Sequence, residues 1–263
     1  MQQRARSIGP FAAAVLAFGL WVTTPSAPVA AVTPPSPPTA CADTGGVTGP
    51  KCPNLQARPA EDLQSAKIGN RTRLRFTTAT QNVGKGPLEL RGGEIVNGKS
   101  KQRVYQRIYT QDTPDQNPSH YTEFQVGDFV YHPQHRHFHL ENYALYELIP
   151  ASSANQSIQK RTSAKTSFCV QDTLKITWTV PLFGIDDTRH YIDCNGSLQG
   201  MTRGWADRYG YQLAGQEIDT TGLPNGPYTL QITVNPNYNL YETDFTDNVS
   251  TVSISLVNGM LQP

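Results

Sequence analysis

Apolar and polar residues alternate with a period of two in several short stretches of the chain. Leu74 and Phe76 alternate with Arg73, Arg75 and Thr77, and Val252, Ile254 and Leu256 alternate with Thr and Ser near the C-terminus. Tyr228, Leu230, Ile232 and Val234 do the same directly after the turn-forming Pro224-Asn225-Gly226. Successive strand side chains point to opposite faces, so each stretch predicts a strand with one face on a core. The segment from His137 to Ile149 also has strand character, and no segment sustains a helical period for long. The pattern predicts an all-β chain: one β-sandwich-like domain with long loops and little helix. No fixed-period repeat and no internal linker divides it, so residues 41–263 form the expected domain.

Composition sharpens this picture. The 20 Pro and 21 Gly suit short strands joined by tight turns. The 22 Lys plus Arg nearly cancel the 21 Asp plus Glu, leaving no net field to draw the chain onto nucleic acid or an anionic membrane. At the N-terminus, Arg4 and Arg6 precede an apolar run from Phe11 to Val22, and small residues follow around Val29-Ala30-Ala31. This is the pattern of a cleaved export signal over residues 1–31, followed by a Pro-rich linker over 32–40. The apolar run is too short to span a bilayer and no second one follows, so a secreted protein without a transmembrane segment is expected. An even number of cysteines, four, suits disulfides in an oxidising compartment. Three pairings exist; the local pairs Cys41–Cys52 and Cys169–Cys194 are the ones expected.

The strongest chemical signal is a histidine cluster. Four of the six histidines fall within Tyr131-His132-Pro133-Gln134-His135-Arg136-His137-Phe138-His139. In an extended strand His135, His137 and His139 project from one face, while Arg136 and Phe138 point away. Three neutral imidazoles suit copper or zinc and leave a coordination position open for water, oxygen or substrate. His132 is out of step with the alternation and is expected to stand behind the ligands. His120 and His190 stand alone and are expected to be structural. Copper is favoured by the affinity order, although the cluster alone also admits zinc.

At these residues the chain resembles the lysyl oxidase catalytic domain, whose motif His-x-x-His-x-His-aromatic-His is met by His132, His135, His137, Phe138 and His139. Lys165-Thr166-Ser167-Phe168-Cys169-Val170-Gln171-Asp172 is similar to that family's Lys-Ala-Ser-Phe-Cys-Leu-Glu-Asp. Gln199-Gly200 and Asp207-Arg208-Tyr209-Gly210 are similar to its Gln-Gly and Asp-Thr-Tyr-Gly. The likeness extends from about residue 53 to 256. It implies copper ligands at His135, His137 and His139, a quinone precursor at Tyr209 and a cross-linking amine at Lys165, together giving lysine tyrosylquinone. It also implies a calcium site in which Asn54 and Leu55, near the domain start, meet Glu242, Asp244, Asp247 and Asn248. There are departures: Phe129, Val130 and Tyr131 replace tryptophan-rich sequence, Gln134 and Gly215 stand where the family has cysteines, and Asn54 replaces an aspartate.

The implied reaction is oxidative deamination of a primary amine, either peptidyl lysine or a small amine, with oxygen as oxidant and aldehyde, ammonia and hydrogen peroxide as products. Such chemistry needs a carbonyl cofactor, because no unmodified side chain is a good electron sink. It also needs a base, for which Asp207, two residues from Tyr209, is a candidate. The alternative reading is a non-catalytic extracellular β-sandwich that binds copper or zinc. A zinc hydrolase is disfavoured by the lack of a His-Glu-x-x-His motif.

Overall fold

A computed structural model of the chain describes residues 39–42, 49–96, 98, 100–111, 114, 116–151, 160–176 and 188–262. The expected export segment and nearly all of the Pro-rich linker lie outside the described residues. What is described is an all-β fold, with regular helix limited to two three-residue 3-10 turns, Thr39–Cys41 and Pro118–His120.

The strands in order are β1 (Leu55–Ala57), β2 (Glu61–Ile68), β3 (Arg71–Asn82), β4 (Leu88–Val96), β5 (Lys101–Tyr109), β6 (Tyr121–His132), β7 (His137–Leu140), β8 (Ala144–Pro150), β9 (Arg161–Thr162), β10 (Leu174–Lys175), β11 (Leu198–Met201), β12 (Trp205–Tyr209), β13 (Glu217–Asp219), β14 (Gly226–Val234), β15 (Val249–Val257) and β16 (Met260–Leu261). They make three antiparallel sheets. The first runs β11-β4-β5-β6-β7 and the second β16-β15-β14-β8-β9. The third is built on the long strand β3, which carries β1, β12 and then β10, with β2 and β13 also paired to it.

The alternating residues face one shared core, as the sequence pattern predicts. Tyr228, Leu230, Ile232 and Val234 of β14 are buried, as are Leu74 and Phe76 of β3, and they join Leu88, Leu90, Val104, Phe129 and Phe168 in a single cluster. On β3 the inward positions continue past Phe76 as Thr78 and Thr80, also buried. Their register partners on β12 are Tyr209 and Asp207, in that order. The inner face of this sheet thus turns from apolar to polar within four residues of one strand. A polar patch there has to satisfy itself inside the core, and it does so around the candidate chemistry.

Two segments differ from their sequence-based outline. The stretch 137–149 is two strands belonging to different sheets, because Asn142, at φ 55°, turns the chain between β7 and β8. Asn tolerates this left-handed conformation better than most residues. The second segment is the histidine run. Both local disulfides form, Cys41–Cys52 and Cys169–Cys194.

Candidate metal and cofactor site

The histidines are not set on one continuous strand. β6 ends at His132, β7 begins at His137, and the intervening residues form a hairpin turn in which the His135 and Arg136 amides donate to the His132 carbonyl at 3.1 and 2.8 Å. Pro133 supplies the fixed φ that favours the second position of such a turn, and Arg136 closes it at φ 59°. The expectation that alternation aligns His135 with His137 and His139 is therefore corrected: His135 sits on the turn and is brought in by its curvature. His132 pairs in register with His137, and its ring stacks on that of His139 at 4.2 Å, which puts it directly behind that imidazole.

All four imidazoles converge on His139, the one that is buried. Its Nε2 lies 2.8 Å from His137 Nε2 and 3.5 Å from His135 Nδ1. Ligand nitrogens of His132, His135 and His139 lie within 4.8 Å of one another. Burial, reinforced by the neighbouring imidazoles and Lys165, lowers the pKa of His132 and His137 and takes that of His139 to about 3. At neutral pH these three rings are uncharged and present lone pairs, which is the state a metal requires. Ring nitrogens in such a crowd must share either a proton or a cation.

The cofactor candidates lie beside this cluster. The segment carrying Lys165 runs along the open edge of β7, where Leu140 and Phe168 exchange backbone hydrogen bonds at 2.7 and 3.1 Å. The Phe138 amide donates to the Cys194 carbonyl on the same edge at 2.9 Å, so both arms of the Cys169–Cys194 bridge are fastened to β7. The Tyr209 hydroxyl donates to the Cys169 carbonyl. Lys165 Nζ is 4.6 Å from the centroid of the Tyr209 ring and 4.5 Å from that of Phe168. Desolvation lowers the Lys165 pKa to about 8, against the opposing pull of Asp207. A sizeable fraction of the amine is consequently neutral, and nucleophilic, near physiological pH.

Asp207 shares the inner face of β12 with Tyr209. It is 1% exposed, and the groups that approach its carboxylate are the Gln171 amide and the Tyr209 hydroxyl. Burial drives its pKa well above the carboxylate range, with Lys165 as the counteracting charge. The Tyr143 hydroxyl is also buried, beside Thr80. Buried ionisable groups are costly and concentrate where proton transfer is needed.

Sequence reasoning assigned no role to the residues that brace this site. Asp172, 0% exposed, accepts from the amides of His190 and Tyr191 at 3.0 Å each and from the amide and hydroxyl of Thr202 at 2.7 and 2.6 Å. Gln199 accepts from the Val170 amide and donates to the Phe138 and Asn195 carbonyls. Both residues lie in segments that carried the resemblance. Gln199 carried a local signal, a polar side chain between Leu198 and Gly200, whereas Asp172, between Gln171 and Thr173, carried none.

The calcium candidates also come together across the chain. Glu242, fully buried, accepts from the Leu55 amide at 2.9 Å and from the Asn235 and Asn248 side chains at 2.7 Å each. Asp247 accepts from Asn54 at 3.0 Å, while Asp244 uses one oxygen to cap its own turn at Thr246. Three further buried oxygens, Asn54 Oδ1, Asp247 Oδ1 and Asn248 Oδ1, have no donor. A separate cleft of about 550 Å³, bordered by Lys85, Glu89, Gln116, Tyr191 and Arg203, is lined by none of these residues. Its Glu89 is already satisfied by the Tyr109 and Tyr191 hydroxyls at 2.9 Å each.

Comparison with known proteins bears on the same residues. The family model described as Lysyl oxidase matches residues 94–261. Lysyl oxidase homolog 2 of Rattus norvegicus is 33% identical over 122 residues, which cover 46% of this chain and 14% of that protein. Protein-lysine 6-oxidase of Homo sapiens is 31% identical over 149 residues, covering 56% of this chain and 32% of the relative. Lysyl oxidase homolog 1 of Homo sapiens is 31% identical over 156 residues, 58% of this chain and 24% of the relative. The matched part thus spans about a third or less of each of these relatives.

Proposed function

Because the chain belongs to the lysyl oxidase family, we propose that it is a secreted copper- and quinone-dependent amine oxidase that converts primary amines to aldehydes, with release of ammonia and hydrogen peroxide. The observation that carries the reading is the approach of the Lys165 amine to the Tyr209 ring, 4.6 Å from its centroid, next to a cluster of neutral imidazoles. Such a pair has no evident structural purpose. A buried amine beside a phenol forfeits hydration and gains no hydrogen bond in return.

His135, His137 and His139 hold the copper in this reading, with His132 stacked behind His139 to orient it. The donor set fits: imidazole suits copper, and the crowded nitrogens gain a shared cation in place of mutual repulsion. When present, copper and the quinone made from Tyr209 and Lys165 supply electron transfer to oxygen and a carbonyl electron sink. The chain's own contribution is positioning and proton transfer. Asp207, buried on the inner face of β12 beside the reacting ring, is the group placed to take up a proton there, and burial moves its pKa upward from the ordinary carboxylate value. Phe168, packed edge-on against Tyr209 at 5.0 Å, excludes water from that side. Two paired disulfides agree with an oxidising, extracellular destination. Substrates are lysine side chains of proteins or small primary amines, with oxygen as co-substrate and no role for nucleic acid. Copper-loaded protein is expected to release peroxide when given a primary amine; copper-loaded protein that releases none would return the chain to the class of non-catalytic metal-binding modules.

We also assign a calcium ion to Asn54, Leu55, Glu242, Asp244, Asp247 and Asn248, supported by the donorless oxygens there. Hard oxygen ligands, several anionic, suit this cation. Burial raises the Glu242 pKa from 4.5 to about 8, and Asp247 rises from 3.8 to about 6. Without a cation, folding therefore takes up protons between about pH 4 and 8. The folded state binds more protons than the unfolded one, so stability falls as pH rises through that window, by up to about 1.4 kcal/mol per pH unit from Glu242 alone. Bound calcium favours the ionised forms and removes the slope. Thermal melts should show a stabilisation by calcium over chelator that is large at pH 8 and small at pH 5. Equal melting temperatures with calcium and chelator at pH 8 would dismiss the ion.

A further inference from the structure

Catalytic metal sites take three protein ligands and keep a further position open, yet four histidines crowd this one. His132 is within reach of the shell, since its ligand nitrogen lies within 4.8 Å of those of His135 and His139. A turn of its ring would bring it in. Two contacts hold it otherwise. Its ring lies face to face with that of His139, with centroids 4.2 Å apart and planes 30° apart. An imidazole binds a metal along a lone pair in its own ring plane, so a ring layered on His139 is turned away from a metal that His139 holds. The second contact is at the ring edge, where the Ser167 hydroxyl is hydrogen-bonded to His132 Nε2 at 3.3 Å.

Ser167 is itself fixed by the backbone. The Tyr143 amide donates to the Thr166 carbonyl at 3.0 Å, and Leu140 and Phe168 exchange hydrogen bonds at 2.7 and 3.1 Å, so the residue between them is pinned against the edge of β7. Phe168 points into the core, and alternation turns the Ser167 side chain the other way, toward the histidines.

We propose that Ser167 is a positioning residue for the copper site: its hydroxyl keeps His132 stacked on His139, so that three imidazoles ligate the metal and one position stays open. The inference rests on the copper reading above and deepens it. A fourth imidazole would hold the ion more tightly and close the position reserved for water or a reactant. The hydroxyl thus limits affinity in favour of access. It also ties the metal site to the stretch that carries Lys165, two residues upstream. Either tautomer of His132 serves, because the bond holds the same ring edge whether Nε2 donates or accepts.

The test titrates copper into metal-free wild type, Ser167→Ala and Ser167→Thr, and into Ser167→Ala combined with His132→Ala beside His132→Ala alone. Affinity is read by competition with a chelator of known strength, and the ligand set by nitrogen couplings in electron paramagnetic resonance. Ser167→Ala is expected to bind one copper about tenfold more tightly than wild type, the scale on which groups that orient a ligand act, and to gain the coupling of a fourth nitrogen. Ser167→Thr keeps the hydroxyl and should keep the wild-type affinity and spectrum. With His132 already replaced, Ser167→Ala should change neither. The direction of the effect separates the proposal from damage to the structure, since a loosened site binds copper more weakly. Binding that is unaltered or weaker in Ser167→Ala, a spectrum that stays at three nitrogens, an effect of equal size with and without His132, or a Ser167→Thr that behaves as Ser167→Ala overturns the positioning role alone. Wild type that takes up no copper overturns the copper reading, and this inference falls with it.

Discussion

Lys165→Ala and Tyr209→Phe are each expected to give a folded protein that takes up copper yet loses amine-dependent peroxide release by about 10⁴-fold or more, the scale of a reaction deprived of its only electron sink. Neither change should threaten the fold. Tyr209→Phe removes one hydroxyl, that which donates to the Cys169 carbonyl, at a cost of about 1 kcal/mol. Lys165→Ala removes an amine that burial already drives toward its neutral form. A peptide digest provides the independent readout: in wild type the peptides of Lys165 and Tyr209 should travel as one species, and in either variant as two. Full activity from protein whose two peptides remain separate and unmodified would refute the cofactor. Tyr211, two residues on, serves as control, since its backbone is held by Thr77 and Tyr211→Phe should be silent.

His139→Ala should abolish copper binding, with loss of at least about three orders of magnitude in affinity when one imidazole of three is deleted. His139 is chosen because every other ring of the cluster contacts it: His137 and His135 through Nε2, and His132 by stacking. His135→Ala and His137→Ala should follow it. His132→Ala should keep one copper per chain while weakening it about 10- to 100-fold, the usual effect of a group that orients a ligand. Copper loss in His132→Ala as complete as in His137→Ala would instead make His132 a ligand, a result that its ring nitrogen within 4.8 Å of the His135 and His139 ligand atoms keeps open to measurement. Stoichiometric copper in His139→Ala would dismiss the site.

Much of the fold could be read locally because burial on one face leaves a period of two in the sequence. β14 emerged at nearly its true extent for this reason, β15 over its later half from Val252, and β3 only around Leu74 and Phe76. Beyond Phe76 the inward positions are Thr78 and Thr80, and a hydrophobicity pattern has no means of telling an inward threonine from an outward one. The histidines were legible as a cluster but not in their arrangement. Alternation from His135 to His139 passes over His132-Pro133, where a proline after a strand residue is itself a turn signal that places His135 on a turn.

The contacts of Lys165 had no local trace at all. The Tyr209 ring beside its amine stands on β12 and meets it only in the folded chain. In the same way, the acceptor role of Asp172 depends on amides at 190, 191 and 202. Such many-to-one arrangements arise only once the loops have been laid against each other. The resemblance drew attention to these segments, whereas their work became visible only through distances.

A centre that makes hydrogen peroxide exposes its own protein to an oxidant at each turnover, and thiols and thioethers are the groups most vulnerable to it. This chain offers little to attack. All four of its cysteines are already in disulfides, none remaining free, and of the methionines among the described residues Met201 is 0% exposed and Met260 is half-buried. Under the proposed oxidase function, the Cys169–Cys194 bridge beside β7 would have a second consequence, resistance to self-inactivation, because its sulfurs are already oxidised to the level at which mild peroxide leaves them alone.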